Sequence, residues 1–255
     1  MRIIARLDVK NEHVIKGIHL EGLRKVGEPV EMAQSYYEQG VHEILFMDAV
    51  ASLYDRNNLL HIIEKACENV FVPISIGGGL RTIEDVELAL AAGADKVAIN
   101  TGAVHRLELI TEIANRFGSQ CIIGSIEAKQ KTDRKWEAYI DNGREPTGLD
   151  VEDWIKRLED AGIGELLVTS IDKEGTKRGF DLELIETVND ATARPVIYSG
   201  GYGKPEHLQA LGPIEKPSGI AFASVLHYQL ATGDELVQAA DRLDPPFEPS
   251  TEMAA

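Results

Sequence analysis

Short apolar runs recur along the chain, each followed by a stretch whose apolar positions return every three or four residues. The runs are Ile3 to Asp8, Ile44 to Asp48, Ile74 to Gly77, Val97 to Asn100, Cys121 to Glu127, Leu166 to Ser170, Val196 to Ser199 and Gly219 to Ala223. Runs this short, bounded by turn residues, predict buried strands. Helical patterns lie between them, at Val30 to Gln39, Leu59 to Asn69, Leu107 to Arg116, Val151 to Ala161 and Asp181 to Asn189. The stretch Pro73 to Asn100 holds one complete unit. A strand ends in Gly77-Gly78-Gly79, Thr82 with Asp85 three residues on has the spacing of a helix capping box, Gly93 stops the helix, and a second strand follows at once. Eight such alternations in 255 residues predict one α/β domain, a (β/α)8 TIM barrel over residues 1–243. A doubly wound open sheet, the competing fold, gives less even spacing.

The two halves echo one another. Ile3 to Asp8 ends in a carboxylate, and half a barrel later Cys121 to Glu127 does the same; Gly77-Gly78-Gly79 after the third run is answered by Ser199-Gly200-Gly201 after the seventh. Two similar half-barrels would set two carboxylates across one mouth, with two anion seats beyond them. A long substrate with a phosphate at each end suits that plan. One loop is unusually long: Gln130 to Gly148 carries an alternating stretch, Trp136 to Ile140, and then the turn Asp141-Asn142-Gly143. It predicts a small hairpin standing on the catalytic face, either a lid or an ornament.

Composition narrows the function. A formal net charge of −16 disfavours nucleic acid and anionic membrane as partners, because both need basic surface to displace counterions. It leaves room for an anionic small molecule, whose binding is decided locally. Cys67 and Cys121 stand far apart inside apolar runs, without metal-ligand or redox spacing, and read as buried free thiols. The absence of a signal-peptide pattern or a long apolar run leads to the expectation of a cytoplasmic protein. Residues 244–255, rich in proline and polar at the end, are expected to be a disordered tail.

In a barrel of this kind chemistry sits at the carboxyl ends of the strands, so Asp8, Asp48, Asn100, Glu127, Thr169, Asp172, Ser199 and Ser224 are the candidates. Asp8 and Glu127, related by half a barrel, can divide acid and base roles if their surroundings push their pKa values apart. Gly78 and Gly79 with Asn100 and Thr101 form one candidate phosphate seat. Gly175 with Gly200, Gly201, Ala223 and Ser224 forms the other. At the opposite end, Arg2, Glu43, Lys96 and Glu165 each begin a strand. Salt bridges among them would close the barrel floor; otherwise they are separate surface charges.

Several motifs together carry a specific resemblance. Asp8-Val9-Lys10 with Val14-Ile15-Lys16-Gly17, then Gly77-Gly78-Gly79, Ala94 to Thr101, Phe117 to Gln120 and Thr169-Ser170-Ile171-Asp172-Lys173-Glu174-Gly175-Thr176 resemble the HisF family, the cyclase subunit of imidazole glycerol phosphate synthase. The likeness runs from Arg2 to about Tyr228. It implies a lyase of histidine biosynthesis without metal or organic cofactor. The substrate is bis-phosphorylated, and the ammonia comes from a HisH-type glutaminase subunit that docks at the barrel floor to form a heterodimer. The products are imidazole glycerol phosphate and aminoimidazole carboxamide ribonucleotide. By the same resemblance Asp8 and Glu127 are catalytic, Lys16 and Glu174 join the substrate site, and Arg2, Glu43, Lys96 and Glu165 are the gate through which ammonia enters.

The chain departs from the family at three places. Glu127 and Glu174 stand where the family has aspartate, and Arg6 stands where it usually has a small cysteine. Arg6 lies two residues before Asp8 and shares its inward face. A guanidinium there must find carboxylates, with Glu127 or Asp8 the nearest, and an interior ion pair with Glu127 is the expectation. Such a pair would narrow an ammonia path. Two other readings therefore stand beside the cyclase: a HisF-like paralogue that passes ammonia to another acceptor, such as a sugar, and a non-catalytic barrel that binds a phosphorylated ligand.

Overall fold

The computed structural model describes residues 1–50, 59–214 and 217–243; the tail expected over 244–255 lies outside the described residues. The chain opens with β1 (Arg2–Lys10) and the hairpin β2 (His13–Ile18) and β3 (Glu21–Gly27). It continues through α1 (Pro29–Glu38), β4 (Glu43–Asp48), α2 (Leu60–Ala66), β5 (Ile74–Gly77), α3 (Ile83–Ala91), β6 (Lys96–Ile99), α4 (Thr101–His105) and α5 (Glu108–Phe117). Three strands follow, β7 (Ile122–Thr132), β8 (Lys135–Ile140) and β9 (Glu145–Asp150), and then α6 (Val151–Ala161), β10 (Glu165–Ser170), α7 (Leu182–Ala191), β11 (Val196–Ser199), α8 (Pro205–Gln209), β12 (Gly219–Phe222), α9 (Ser224–His227) and α10 (Gly233–Leu243).

Eight of the strands, β1, β4, β5, β6, β7, β10, β11 and β12, pair in that order, each parallel to both neighbours, and β12 returns to β1 to close the barrel. The (β/α)8 expectation is met. The period of two along each strand sorts the side chains. On β1, Ile3, Ala5, Leu7 and Val9 join the large core between barrel and helices. Ile4, Arg6 and Asp8 point inward. Ile4 belongs to an apolar layer across the barrel axis with Leu45, Ala98, Ile123, Leu167, Ile197 and Ala221. This layer separates the charged strand starts from the polar strand ends.

Local signals explain the elements. The capping box that opens α3 is complete: the Thr82 hydroxyl accepts from the Asp85 N–H, and the Asp85 carboxylate accepts from the Thr82 N–H. Gly93, at φ +110, lets the chain leave this helix.

The expected hairpin is present: β8 and β9 pair antiparallel on either side of the Asp141-Asn142-Gly143 turn. The sequence does not show how far its first partner strand extends. β7 runs on past Glu127 to Thr132 and pairs antiparallel with β8, which pairs in turn with β9. The β2–β3 hairpin has no counterpart in the sequence reading. Within its strands only Val14, Ile15 and Lys16 are buried, joined by Leu20 at the turn, and most of β3 is exposed, so its pattern carries little apolar signal. Both cysteines are free, but Cys67 is only half-buried. Among the described residues no helix is long and apolar enough to cross a membrane.

Candidate active site

Arg6 lies directly above the apolar layer and is 1% exposed. Its Nε donates to Asp8 Oδ1 at 2.8 Å, and its Nη1 reaches over to Thr169 Oγ1 on β10 at 2.8 Å and Ser199 Oγ on β11 at 3.3 Å. The other Asp8 oxygen, Oδ2, accepts from Lys16 Nζ of β2 at 3.2 Å, and Lys16 also pairs with Glu174. Arg6, Asp8, Lys16 and Glu174 thus alternate in sign through a buried chain. That alternation offsets the large cost of removing each charge from water.

The expected Arg6–Glu127 ion pair is not formed; the guanidinium bonds Asp8 instead. Asp8 is its neighbour on the same face of the same strand, and Glu127 is engaged elsewhere. Burial alone would raise the Asp8 pKa, but the charges of Arg6 and Lys16 outweigh it and hold the carboxyl well below the usual range. Burial would likewise lower Lys16, and Glu174 and Asp8 reverse that and raise it.

Glu127 has the opposite surroundings. Its Oε2 accepts from the Gly143 N–H at 2.8 Å and from Asn100 Nδ2 at 3.1 Å, both neutral donors. Burial pushes its pKa up to about 7, against partial opposition from the Arg6 charge and the Gly143 N–H. The two carboxylates have therefore been driven apart, the condition for separate proton roles. Gly143 belongs to the β8–β9 turn, where Asp141, Asn142 and Gly143 all take positive φ. The turn is fastened over the mouth. Leu20 of the first hairpin packs with Tyr139 and Ile171, Asn142 Nδ2 reaches Leu20 O at 3.5 Å, and Asp172 accepts from the Gln130 N–H at 2.8 Å. Tyr139 and the Gly143 N–H were missed in the sequence; the Asp-Asn-Gly turn was the signal available.

The first glycine seat opens on a cavity lined by Arg6, Asp48, Gly78, Asn100, Thr101 and Glu127, with Gly79 beside them. Gly78, at φ +93, has no room for a side chain: a Cβ there would meet the Asp48 carbonyl oxygen at 2.3 Å. The second seat brings Gly175, Gly200, Gly201, Ala223 and Ser224 around another hollow with Glu174. A Cβ at Gly201 would stand 2.1 Å from the Gly179 carbonyl oxygen. Thr169 and Asp172, candidates for substrate contact, hold protein groups here: Thr169 holds Arg6, and Asp172 the base of the hairpin.

At the other end of the barrel the four strand-start charges meet. Arg2 pairs with Glu43 at 2.8 Å and with Glu165; Lys96 pairs with Glu165 at 2.9 Å and Glu43 at 3.6 Å. Ser75 Oγ adds a hydrogen bond to Glu43 at 2.6 Å. The result is a closed ring of two cations and two anions below the apolar layer.

Comparison with known proteins places the chain in a family. The family model described as "Histidine biosynthesis protein" matches residues 2–232. A curated relative from Legionella pneumophila, imidazole glycerol phosphate synthase subunit HisF, is 57% identical over 206 residues, which cover 81% of this chain and 97% of the relative. With the closed parallel barrel and matches of this length, the chain belongs to the HisF family, the cyclase subunits of imidazole glycerol phosphate synthase.

Proposed function

We propose that the chain closes the imidazole ring of imidazole glycerol phosphate and releases aminoimidazole carboxamide ribonucleotide, a lyase reaction in which Glu127 carries the protons. The observation that supports this most is Glu127 itself: a buried carboxyl with a pKa near 7, on a cavity that also holds a glycine phosphate seat. A group titrating near the working pH can both give and take a proton without a large penalty either way. Asp8, bonded to two cations, stays a carboxylate and fixes the charged wall beside it. The two glycine clusters would take the two phosphates through backbone N–H groups. No metal or organic cofactor enters this scheme.

Ammonia supply follows the same reading. The ring of Arg2, Glu43, Lys96 and Glu165 would be the entrance, and a HisH-type glutaminase subunit docked on the floor the source, in a cytoplasmic heterodimer. One observation favours the paralogue reading: Arg6 lies across the axis above the apolar layer, where ammonia rising from the floor would have to pass. Turnover of the phosphoribulosyl-formimino substrate with excess ammonium salt distinguishes the two. The cyclase turns it over and Glu127→Gln does not; a paralogue that serves another acceptor leaves it untouched.

A further inference from the structure

The cavity at the first glycine seat has Arg6 and Glu127 in its lining, and Asp8 is not among the residues that line it. The cause is visible in the bonding. Both Asp8 oxygens are spent on cations, Oδ1 on Arg6 and Oδ2 on Lys16. Arg6 is fixed from three strands, by Asp8 on β1, Thr169 on β10 and Ser199 on β11. Those bonds use Nε and Nη1. A guanidinium has five N–H donors in a rigid fork, and no described residue accepts from Nη2. A buried cation with fixed orientation and donors to spare, on the wall of a cavity that also holds a proton carrier, is the arrangement that stabilises an oxyanion.

We propose that Arg6 is a catalytic residue of this chain, standing with Glu127 in the cavity in the place the sequence assigns to Asp8, and that Asp8 serves to hold it. The inference rests on the cyclase reading and names a contact within it. Ammonia forms a bond to the carbonyl carbon of the phosphorylated substrate, and the carbonyl π pair moves to the oxygen. Arg6 N–H groups hold that oxygen as its charge grows, and Glu127 delivers its proton to it. The carbinol carries a positive ammonium nitrogen, which returns one proton to the Glu127 carboxylate. One C–N bond has formed, one C–O π bond has broken, and Glu127 ends as it began.

The experiment compares wild type, Arg6→Met, Arg6→Lys and Asp8→Asn in steady-state assays with ammonium salt, with thermal melts to show that each variant is folded. Losing an oxyanion donor costs roughly 100-fold or more in kcat. Arg6→Met should show that loss with KM for the phosphorylated substrate little changed, and Arg6→Lys should recover part of it. Asp8→Asn, which keeps an acceptor for Arg6 Nε, should lose less than Arg6→Met. Arg6→Met turning over as fast as wild type, or Asp8→Asn proving the more damaging of the two, overturns the proposal. If wild type itself is silent, the cyclase reading fails. The proposal, which names a contact in that reaction, then falls with it, whereas an active wild type beside an equally active Arg6→Met removes the proposal and leaves the cyclase reading standing.

Discussion

Glu127 and Asp8 are the same functional group in the same barrel mouth, yet their neighbours send them in opposite directions. Asp8 lies between an arginine and a lysine; Glu127 meets an amide and a backbone N–H. The consequence for stability has a definite sign. Between the ordinary glutamate pKa and about 7 the folded protein holds a proton on Glu127 that the unfolded chain has released, so stability falls as pH rises through this window. Asp8 acts oppositely: its contribution is present at neutral pH and is lost as pH falls below the usual carboxylate range. Glu127→Gln removes the first effect. Relative to wild type it should gain about 3 kcal/mol of stability between pH 4 and pH 8, read from urea denaturation across that range. A difference independent of pH would show that burial does not raise the Glu127 pKa in the folded protein.

Among the elements, the two loop hairpins decide how the site is covered. The β8–β9 turn supplies the N–H that Glu127 accepts, at a glycine with φ +73 whose added Cβ would meet Leu20 Cδ1 at 2.8 Å. Gly143→Ala should therefore lift the turn, lower the turnover rate about tenfold or more, and leave the melting temperature nearly unchanged, because the turn lies outside the barrel core. By contrast, Thr82→Ala removes a helix cap far from the mouth. It should cost about 1 kcal/mol of stability with kcat intact.

The same contrast explains what could be read in the sequence. The barrel strands were legible because they are buried on both faces and so appear as unbroken apolar runs. The hairpin β2–β3 was not, since β3 is largely exposed. Arg6 was legible as an anomaly on the inward face, but its partner was not: choosing Asp8 over Glu127 depends on β7 continuing into β8 and bringing Gly143 back over Glu127. The Asp-Asn-Gly turn signals a hairpin, but no residue spacing says which carboxylate its glycine N–H will meet.

Across the whole molecule the barrel is layered along its axis: a charged floor, an apolar waist, and a polar mouth with Arg6 at its base. The floor ring is part of the fold's stability as well as a proposed entrance. Glu43 is 2% exposed, accepts from Arg2 and Ser75, and faces the Lys96 ammonium at 3.6 Å. Glu43→Ala leaves two half-buried cations and the buried Ser75 hydroxyl short of an acceptor and should cost about 2 kcal/mol. The exposed pair Arg116–Glu87 gives a control, with less than about 1 kcal/mol lost on Arg116→Ala. Equal effects in denaturant titrations would mean that the ring is solvated and contributes no more than a surface pair.

On the proposed function, this barrel closes an imidazole ring with Glu127 as its proton carrier. The most direct measurement is the pH dependence of kcat/KM for the phosphoribulosyl-formimino substrate, with free ammonia held constant, for wild type and Glu127→Gln. Turnover should be governed by one group near pH 7, with that limb and nearly all activity gone in Glu127→Gln. A folded wild-type protein that binds the substrate without turning it over, or a profile unchanged in Glu127→Gln, would contradict it.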